Sequence, residues 1–356
     1  MNVLTLVGYG ISASKYSETN PLAATLSKLD NYSLNLVSAA YSSSSWNSLI
    51  CTKNSFSQFE ILHGKSYSWP LTVETICKYV NWCFFTKKFE PSTIKAYLSN
   101  LATLHKLKNL EFSNFSSFLV KTHVRGVENL CLSNIHEKRC RRAMSLPVLK
   151  ILGHEIALKN WSNDSKIVVW TAMCIAFFGS FRIGEILAKS EFAYNVIDTL
   201  IWNNVKFMDD DSVIITSNVT KNRTPGGESV SLFKFEGSFC PVTALKNLHS
   251  VLPHDPNLPV FRFVTGKLLT QKSFNNIIIE CLTPHFGRKA KGFSGHSFRS
   301  GLPSALSGCE KFASVAAIKK WGRWNSDAYQ RYTKLDHLAK KDIFELFKNA
   351  LISKFL

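Results

Sequence analysis

The sequence predicts a mainly α-helical protein with a small antiparallel β-sheet, arranged as a helical domain followed by an α+β domain. Apolar residues recur at helical spacing through most of the chain. Three short runs with the composition of β-strands, TLIWNNVKFM, DSVIITSNV and ESVSLFKF, stand close together between residues 199 and 235. The last two are joined by TKNRTPGG, whose Asn, Pro and Gly residues indicate a turn. A chain of 356 residues is long enough for two such domains.

The helical domain is predicted from two amphipathic segments. In VETICKYVNWCFF, the residues Ile76, Val80, Cys83 and Phe84 fall on one helical face. PSTIKAYLSNLATLHK repeats this spacing and opens with Pro91, which is typical of a first helical turn. We expect an N-terminal extension over residues 1–20, a helical domain over 21–126, a basic linker over 127–144 and a second domain with a C-terminal helix over 145–356.

Further helices are predicted around the strands of the second domain. IVVWTAMCIAFFGSF is apolar on all sides but shorter than the ~20 residues of a membrane span, so it predicts a buried helix. CPVTALKNLHSVL has proline in the first turn of a helix. The tail after residue 335 carries apolar residues at helical spacing, namely Ala339, Ile343, Leu346, Phe347, Ala350 and Leu351.

The formal net charge of +18 favours a polyanionic partner, for which nucleic acid and an acidic membrane surface are the usual candidates. The predicted linker contains the basic run KRCRR. We expect this run to lie along a phosphate backbone, although such runs are also common on solvated surfaces. Its basic residues are Lys138, Arg139, Arg141 and Arg142.

Several function classes are disfavoured by composition. Nine cysteines without a CxxC pair do not form a disulfide framework, which favours a reducing compartment. Cys131, His136 and Cys140 lie close in sequence but lack a fourth zinc ligand, so we expect no metal and no cofactor. The N-terminus has no positive charge ahead of its apolar stretch and makes a poor signal peptide. We therefore expect a soluble intracellular protein with no membrane partner.

Four short motifs in the second domain carry the candidate chemistry: GSFRIGEI, VTKNRTPGG, GHSFRSG and WGRWNSDAYQRYTK. A hydroxyl nucleophile that cleaves a phosphodiester without metal needs cationic donors on the non-bridging oxygens, where charge builds in the transition state. Arginine suits this role because its planar guanidinium binds phosphate oxygens with two donors. The reaction also needs an acid for the departing oxygen and a group that assists the attacking hydroxyl.

The order of these motifs resembles the catalytic domain of the tyrosine recombinase, or phage integrase, family. GSFRIGEI is similar to the family's G-x-R-x-x-E pattern, and GHSFRSG to its H-x-x-R motif. The resemblance covers residues 145–356, and more loosely the helical region. It implies catalytic roles for Arg182, Lys221, His296, Arg299, Trp324 and Tyr332, with Glu185 supporting Arg182.

The resemblance implies a site-specific DNA recombinase or integrase from a mobile element or a virus. Such an enzyme cleaves and rejoins double-stranded DNA through a 3′-phosphotyrosine intermediate without metal or ATP. Two domains would clamp the duplex, and exchange of the C-terminal helix would link a homotetramer on DNA. The protein would then work in the nucleus of a eukaryotic host, or in the cytoplasm or nucleoid of a bacterial one.

Some assignments stay open at the level of sequence. Trp324 lies eight residues before Tyr332, one fewer than in many members of the family, and Tyr329 is an alternative nucleophile. Trp321 is the alternative to Trp324, while Lys206 and Lys234 are alternatives to Lys221. Two other functions remain possible: nicking and resealing of one duplex, as in type IB topoisomerases, and DNA binding without catalysis.

Overall fold

The computed structural model describes residues 32–33, 35–133, 142–197, 199–217, 227–252, 255–307, 314, 316, 319–320 and 322–323. The chain divides into two compact units, Met1–Lys138 and Arg139–Leu356. The predicted N-terminal extension and C-terminal tail lie outside the described residues. So do Cys140 and His136 of the cysteine–histidine cluster, and the site residues Lys138, Arg139, Arg141, Lys221, Trp324 and Tyr332.

The described part of the first unit is helical. Its helices are α1 (Ser43–Leu62), α2 (Val73–Asn81), α3 (Pro91–Leu107) and α4 (Phe118–Ser133); α2 continues into a π-helical turn over Trp82–Thr86, and a 3₁₀ turn spans Ser113–Ser116. Helix α1 starts where the Ser42 hydroxyl accepts a hydrogen bond from the Ser45 backbone N–H at 3.1 Å. Helix α3 starts at Pro91, the position that its sequence predicts.

The predicted apolar face of α2 forms part of the first unit's core. Ile76, Val80 and Cys83 are fully buried against aromatic residues of α1. Phe56 and Phe59 each pack within 5.4 Å of the Tyr79 ring centroid. This aromatic packing holds α1 against α2.

Helix α4 continues past residue 126, where the sequence predicts the linker to begin. Gly126 lies within the helix, and a Cβ added there would meet no atom within 4 Å. Val120 and Val127, on either side of Gly126, are both buried in the core of the first unit. Burial of these two side chains outweighs the weak helix propensity of glycine, so the helix reaches Ser133.

In its described residues, the second unit combines helices with a small sheet. Its elements are α5 (Leu146–Leu158), α6 (Asn163–Phe178), α7 (Ile183–Ile186), β1 (Val205–Phe207), β2 (Val213–Ser217), β3 (Glu228–Leu232), α8 (Pro241–Val251), α9 (Gln271–Phe286) and α10 (Gly295–Ser307), with 3₁₀ turns at Trp202–Asn204 and Gly287–Gly292. Helix α6 is buried on nearly every side, as its apolar sequence predicts. Among the described residues, no helix has the length and apolar character of a membrane span.

The sheet has the strand order β1–β2–β3, with both neighbouring pairs antiparallel. The predicted fold class, mainly helical with a small antiparallel sheet, is therefore confirmed. The first predicted strand is shorter than its sequence run, because Trp202 begins a 3₁₀ turn and pairing starts only at Val205. Ser217 pairs with Glu228 as the last register pair before the connection between β2 and β3. That pair faces the candidate site described below.

A buried histidine makes the first unit sensitive to acid. His105 Nδ1 donates to the Leu101 carbonyl at 2.8 Å, while Nε2 accepts the Leu71 N–H at 3.0 Å. The ring also stacks on Trp69 with 4.3 Å between centroids. Burial lowers the pKa of His105 from its usual 6.5, and the nearby Lys108 charge acts in the same direction. Protonation of Nε2 would displace the Leu71 donor.

We expect the first unit to lose stability as pH falls below 6.5, because the unfolded chain then binds a proton that the folded chain resists. The stability that neutral His105 contributes is complete above this pH. It declines until the lowered pKa of the folded state is reached. Urea unfolding at a series of pH values measures how the free energy of unfolding changes with pH. His105→Gln should make this dependence on pH weaker. An equally steep slope in His105→Gln would show that another group is responsible.

Candidate active site

The site begins at the C-terminal end of α6, where the chain turns sharply. Ser180 follows the helix in the left-handed conformation, with φ +47°. The Phe181 N–H bonds back to the Ala176 carbonyl at 3.2 Å, and the Ser180 N–H to that of Phe177 at 3.3 Å. This pattern ends a helix tightly. It places Arg182 at the start of α7 and leaves the Ser180 carbonyl available to side chains from outside α6.

Glu185 is the anchor of the site. Its side chain is 3% exposed and accepts from the Arg182 guanidinium, Nη1 to Oε1, at 2.6 Å. Its other oxygen, Oε2, accepts the Arg182 backbone N–H at 3.0 Å. A buried carboxylate needs such charged partners. Glu185 therefore fixes both the backbone and the side chain of Arg182, whose side chain remains 35% exposed.

Helix α10 brings the GHSFRSG motif to Arg182. Gly295 packs so closely on Ile183 that an added Cβ would lie 2.9 Å from the isoleucine side chain. Only glycine allows α10 to start this near to α7. His296, on the first turn of α10, is exposed, while Arg299, one turn later, is buried.

The Arg299 guanidinium is held by backbone carbonyls. Its Nη1 donates to Ser180 at 2.9 Å, and its Nη2 donates to Gly322 at 3.0 Å and to Arg323 at 3.3 Å. Burial lowers the pKa of Arg299 to about 10, and the neighbouring charges of Arg182 and Arg323 add to this effect. The Arg299 charge is therefore buried close to other positive charges, a setting that favours an incoming anion.

Arg323 is a third arginine in this cluster, and sequence analysis does not select it. Its Nη2 donates to Glu185 Oε2 at 2.6 Å and to the Ser180 carbonyl at 3.1 Å. Its Nη1 donates to Glu228 on β3 at 3.1 Å. One signal for Arg323 is present in the sequence: it lies nine residues before Tyr332, one position further than Trp324.

The base of the β2–β3 hairpin lies against the same cluster. The Ser217 hydroxyl donates to the Glu185 carbonyl at 3.4 Å, and Glu228, its register partner, binds Arg323. These two residues flank the segment 218–226, which contains Lys221. The sequence does not predict that Ser217 or Glu228 belongs to the site.

The two alternative lysines differ in their surroundings. Lys234 binds Asp211 at 2.8 Å, and this hydrogen bond raises the pKa of the lysine. A raised pKa makes Lys234 a weaker proton donor near neutral pH. Lys206 lies on β1 opposite Ile214 and is exposed. Lys221 remains our preferred acid.

The structure thus brings Arg182, Glu185 and Arg299 together, with His296 one helical turn before Arg299. Arg142, the one described residue of the predicted basic run, is half-buried, and its backbone N–H bonds to the Gly292 carbonyl at 3.1 Å. It therefore lies beside the segment that leads into α10. In the part of the chain that the structure describes, no cluster of three metal-ligating side chains occurs.

The formal charge of the cluster suits an anion. Its three arginines are Arg182, Arg299 and Arg323, and the carboxylates bonded to them in the described part of the chain are Glu185 and Glu228. Three positive charges around these two negative ones leave one formal positive charge.

The first unit presents a second basic feature that sequence analysis does not predict. Four lysines lie over aromatic rings, at distances of 4.5 to 5.4 Å from Nζ to the ring centroid. Burial lowers the pKa of Lys108, and the charge of nearby Lys53 lowers it further. The rings attract these ammonium groups electrostatically. The pairs are Lys65–Tyr67, Lys87–Trp82, Lys106–Phe112 and Lys108–Trp69.

Glu185→Gln should destabilise the second unit by about 3 kcal/mol or more, because it leaves buried arginine charge without its shared carboxylate. Urea unfolding followed by circular dichroism measures the change. Glu280→Gln is the matched control, since Glu280 pairs with Lys159 at a site where the carboxylate is 62% exposed. That control should cost less than about 1 kcal/mol. Equal losses of unfolding free energy in the two variants would show that Glu185 stabilises the second unit no more than an exposed carboxylate does.

No protein-family model and no curated protein matches this chain. Solved structures do. The XerH site-specific recombinase, in a post-cleavage complex with a palindromic difH substrate, has a TM-score of 0.55 at 14% identity; the alignment covers 85% of this chain and 79% of that chain. A lambda integrase dimer bound to a COC′ core site has a TM-score of 0.52 at 14% identity, covering 89% of this chain and 82% of that chain.

The Tn1549 transposon integrase, in complex with transposon right end DNA, has a TM-score of 0.51 at 12% identity, with coverage of 81% of this chain and 88% of that chain. At such low identity the likeness concerns the fold. The chain has the tyrosine recombinase fold.

Proposed function

We propose that this protein is a site-specific DNA recombinase or integrase that cleaves and rejoins double-stranded DNA through a 3′-phosphotyrosine intermediate. The observation that carries the proposal is the arginine cluster around Glu185, formed on a fold shared with recombinases and integrases. The cluster brings together Arg182 and Arg299, which lie in separate sequence motifs. It has the charge and the donors that a scissile phosphodiester requires.

Arg182 is the first phosphate ligand in this proposal. Its guanidinium is partly exposed, and Glu185 holds it from the protein side, so the remaining donors are available to a non-bridging oxygen. Arg299 supplies the second positive charge from its buried position near Arg182. A phosphodiester carries one negative charge, which matches the one formal positive charge of the cluster. Arginine neutralises this charge directly, so the proposed reaction needs no metal. It needs no ATP because the phosphotyrosine bond conserves the energy of the broken phosphoester bond.

The covalent step exchanges one phosphoester bond for another. The Tyr332 phenolic oxygen attacks phosphorus and forms the phosphotyrosine bond, while the bond between phosphorus and the 5′-oxygen breaks. His296 assists removal of the phenol proton, and Lys221 donates a proton to the leaving 5′-oxygen. Trp324 would pack beside the site and support it. A 5′-hydroxyl of a partner strand then attacks the phosphotyrosine and releases Tyr332, so bond energy is conserved.

DNA binding by both units is supported by their charges. Among the aligned structures, the Tn1549 integrase is in complex with transposon right end DNA, and the lambda integrase dimer is bound to a core site. In this chain, the ring-stacked lysines of the first unit and the basic run of Lys138, Arg139, Arg141 and Arg142 would contact the phosphate backbone. Such contacts position the duplex without reading its sequence. They would bring one phosphate to Arg182.

Strand exchange between two duplexes needs four active sites, so we propose a homotetramer on DNA. The apolar helical spacing of residues 339–351 supports an exchange of the C-terminal helix between protomers. The same helix folded onto its own protomer is the alternative outcome. Sedimentation of the protein with and without its duplex tests for the tetramer.

Wild-type protein should form a covalent adduct with a nicked duplex in buffer containing EDTA. The duplex is first recovered by covalent capture from a pool with a randomised central region, because a nick lets the cleaved strand diffuse away and traps the intermediate. Tyr332→Phe should abolish the adduct on a denaturing gel, since phenylalanine has no nucleophilic oxygen. Tyr329→Phe, three residues earlier in the chain, is the matched control and should retain it.

Loss of the adduct in Tyr329→Phe alone would reassign the nucleophile. An adduct that reseals one duplex but never joins two would favour the activity of a type IB topoisomerase. Salt-sensitive binding without any adduct in wild type would favour a DNA-binding protein without catalysis. Each of these outcomes contradicts a stated part of the proposal.

Binding to the captured duplex should weaken steeply with salt, because each neutralised phosphate releases counterions. Replacing Lys106 and Lys108 together by glutamine should reduce the slope of log K against log salt by about 0.9 for each phosphate that these lysines neutralise. Lys95→Gln is the control, since Lys95 is already paired with Glu128 at 2.6 Å. Fluorescence anisotropy measures all three proteins. An unchanged slope in the double variant would show that Lys106 and Lys108 do not contact DNA phosphates.

A further inference from the structure

We propose that Arg323 is a positioning residue that sets the Arg182 guanidinium for phosphate binding and holds the Arg299 charge beside it. This inference rests on the proposed function and extends it to a residue that the sequence motifs do not single out. Arg323 lies far along the chain from both of its carboxylate partners, Glu185 and Glu228. Its contacts explain how the cluster is held together.

The side chain of Arg323 joins three separate elements. Nη2 reaches Glu185 on α7 at 2.6 Å and the Ser180 carbonyl, at the end of α6, at 3.1 Å. Nη1 reaches Glu228 on β3 at 3.1 Å. The guanidinium carbon lies 4.8 Å from the centroid of the Phe181 ring. Arg323 therefore fixes the ends of α6 and α7 and the base of the hairpin relative to one another.

The contacts of Arg323 do not leave it free to bind phosphate itself. Its side chain is 7% exposed, and both terminal nitrogens are engaged by protein oxygens. Arg299 is enclosed in the same way, since it is 2% exposed and donates to three backbone carbonyls, so it contributes its charge rather than exposed donors. Arg182, by contrast, is 35% exposed and shares Glu185 with Arg323. Each carboxylate oxygen thus receives one guanidinium: Oε1 receives that of Arg182 and Oε2 that of Arg323. The orientation of Glu185, and through it of Arg182, depends on Arg323.

The backbone carbonyl of Arg323 contacts Arg299, the other arginine of the cluster. Its carbonyl and that of Gly322 accept from Arg299 Nη2 at 3.3 and 3.0 Å. Arg299 Nη1 shares the Ser180 carbonyl with Arg323 Nη2. Arg323 is therefore linked to Arg182 through Glu185, and to Arg299 through its own carbonyl and that of Ser180.

Stability alone is a poor explanation for this arginine. Arg323 adopts φ +53°, which is unfavourable for a side chain of this size. Its buried Nε finds no acceptor among the described residues. Burying a charged group with an unmet donor is costly, and an apolar side chain would pack more simply on Phe181. The arrangement instead gains a fixed geometry for the exposed Arg182 guanidinium and for the buried Arg299 charge.

The test is a double-mutant cycle on cleavage of the captured nicked duplex, under single-turnover conditions at saturating protein. Arg323→Gln should slow adduct formation about 100-fold, the effect of a small displacement of catalytic groups. It should leave duplex affinity close to wild type. Because it leaves buried Glu185 without one of its two guanidinium partners, it should lower the melting temperature, so rates are compared at a temperature where circular dichroism shows both proteins folded. In an Arg182→Lys background, where the group that Arg323 positions is already changed, the loss from Arg323→Gln should shrink to a few fold.

Two control variants make the double-mutant cycle more specific. Glu228→Gln weakens one of the three oxygen partners and should give a smaller loss than Arg323→Gln. Lys159→Gln removes an ion pair between α5 and α9, and should change neither the rate nor the coupling. Should Arg323→Gln fail to fold, Arg323→Lys enters the same cycle, because lysine keeps the charge beside Glu185 but cannot bridge two carboxylates.

Multiplicative losses in the double variant would show that Arg323 acts independently of Arg182 and would overturn the inference. An unchanged rate in Arg323→Gln would overturn it as well. A wild-type protein that forms no adduct is a different result, since it refutes the proposed function and is visible before any variant is made. The cycle therefore separates failure of the inference from failure of the function.

Discussion

A single buried carboxylate, that of Glu185, organises the second unit. It is 3% exposed and accepts from two arginines that belong to distant parts of the chain. Removing an ion from water is costly, and the cost is recovered only when its partners are held in good geometry. The partners that meet this requirement are Arg182, at the start of α7, and Arg323, which also binds Glu228 at the base of the hairpin. The site is a consequence of compensating this charge.

The same cluster is suited to an anion because its positive charges are crowded together. The Arg299 guanidinium donates to three backbone carbonyls. Its lowered pKa reflects burial and the two neighbouring arginines. Two residues with positive φ, Ser180 and Arg323, meet at this point. Backbone strain and positive charge are thus concentrated where a phosphate would bind.

The sequence alone predicts those features of the fold and the site that are encoded by neighbouring residues. Helical periodicity predicts α2, α3 and α6, and Arg182, Glu185 and Arg299 stand in short motifs that the fold brings together. Arg323 and Glu228 cannot be paired this way, because they are 95 residues apart and meet only after the sheet and α10 have packed. The helix that runs past residue 126 into the predicted linker could not be predicted locally for a related reason. Glycine weakens a helix locally, but burial of Val127 is a tertiary effect.

The Glu185-anchored arginines are, in this proposal, the phosphate site of a DNA strand-cleaving enzyme. A crystal structure of Tyr332→Phe with the captured nicked duplex tests this most directly. We expect a non-bridging oxygen of the phosphate at the cleavage position to lie about 3 Å from an Arg182 guanidinium nitrogen, with Arg323 still bound to Glu185. A duplex whose backbone passes elsewhere, leaving the cluster without phosphate, would contradict the claim.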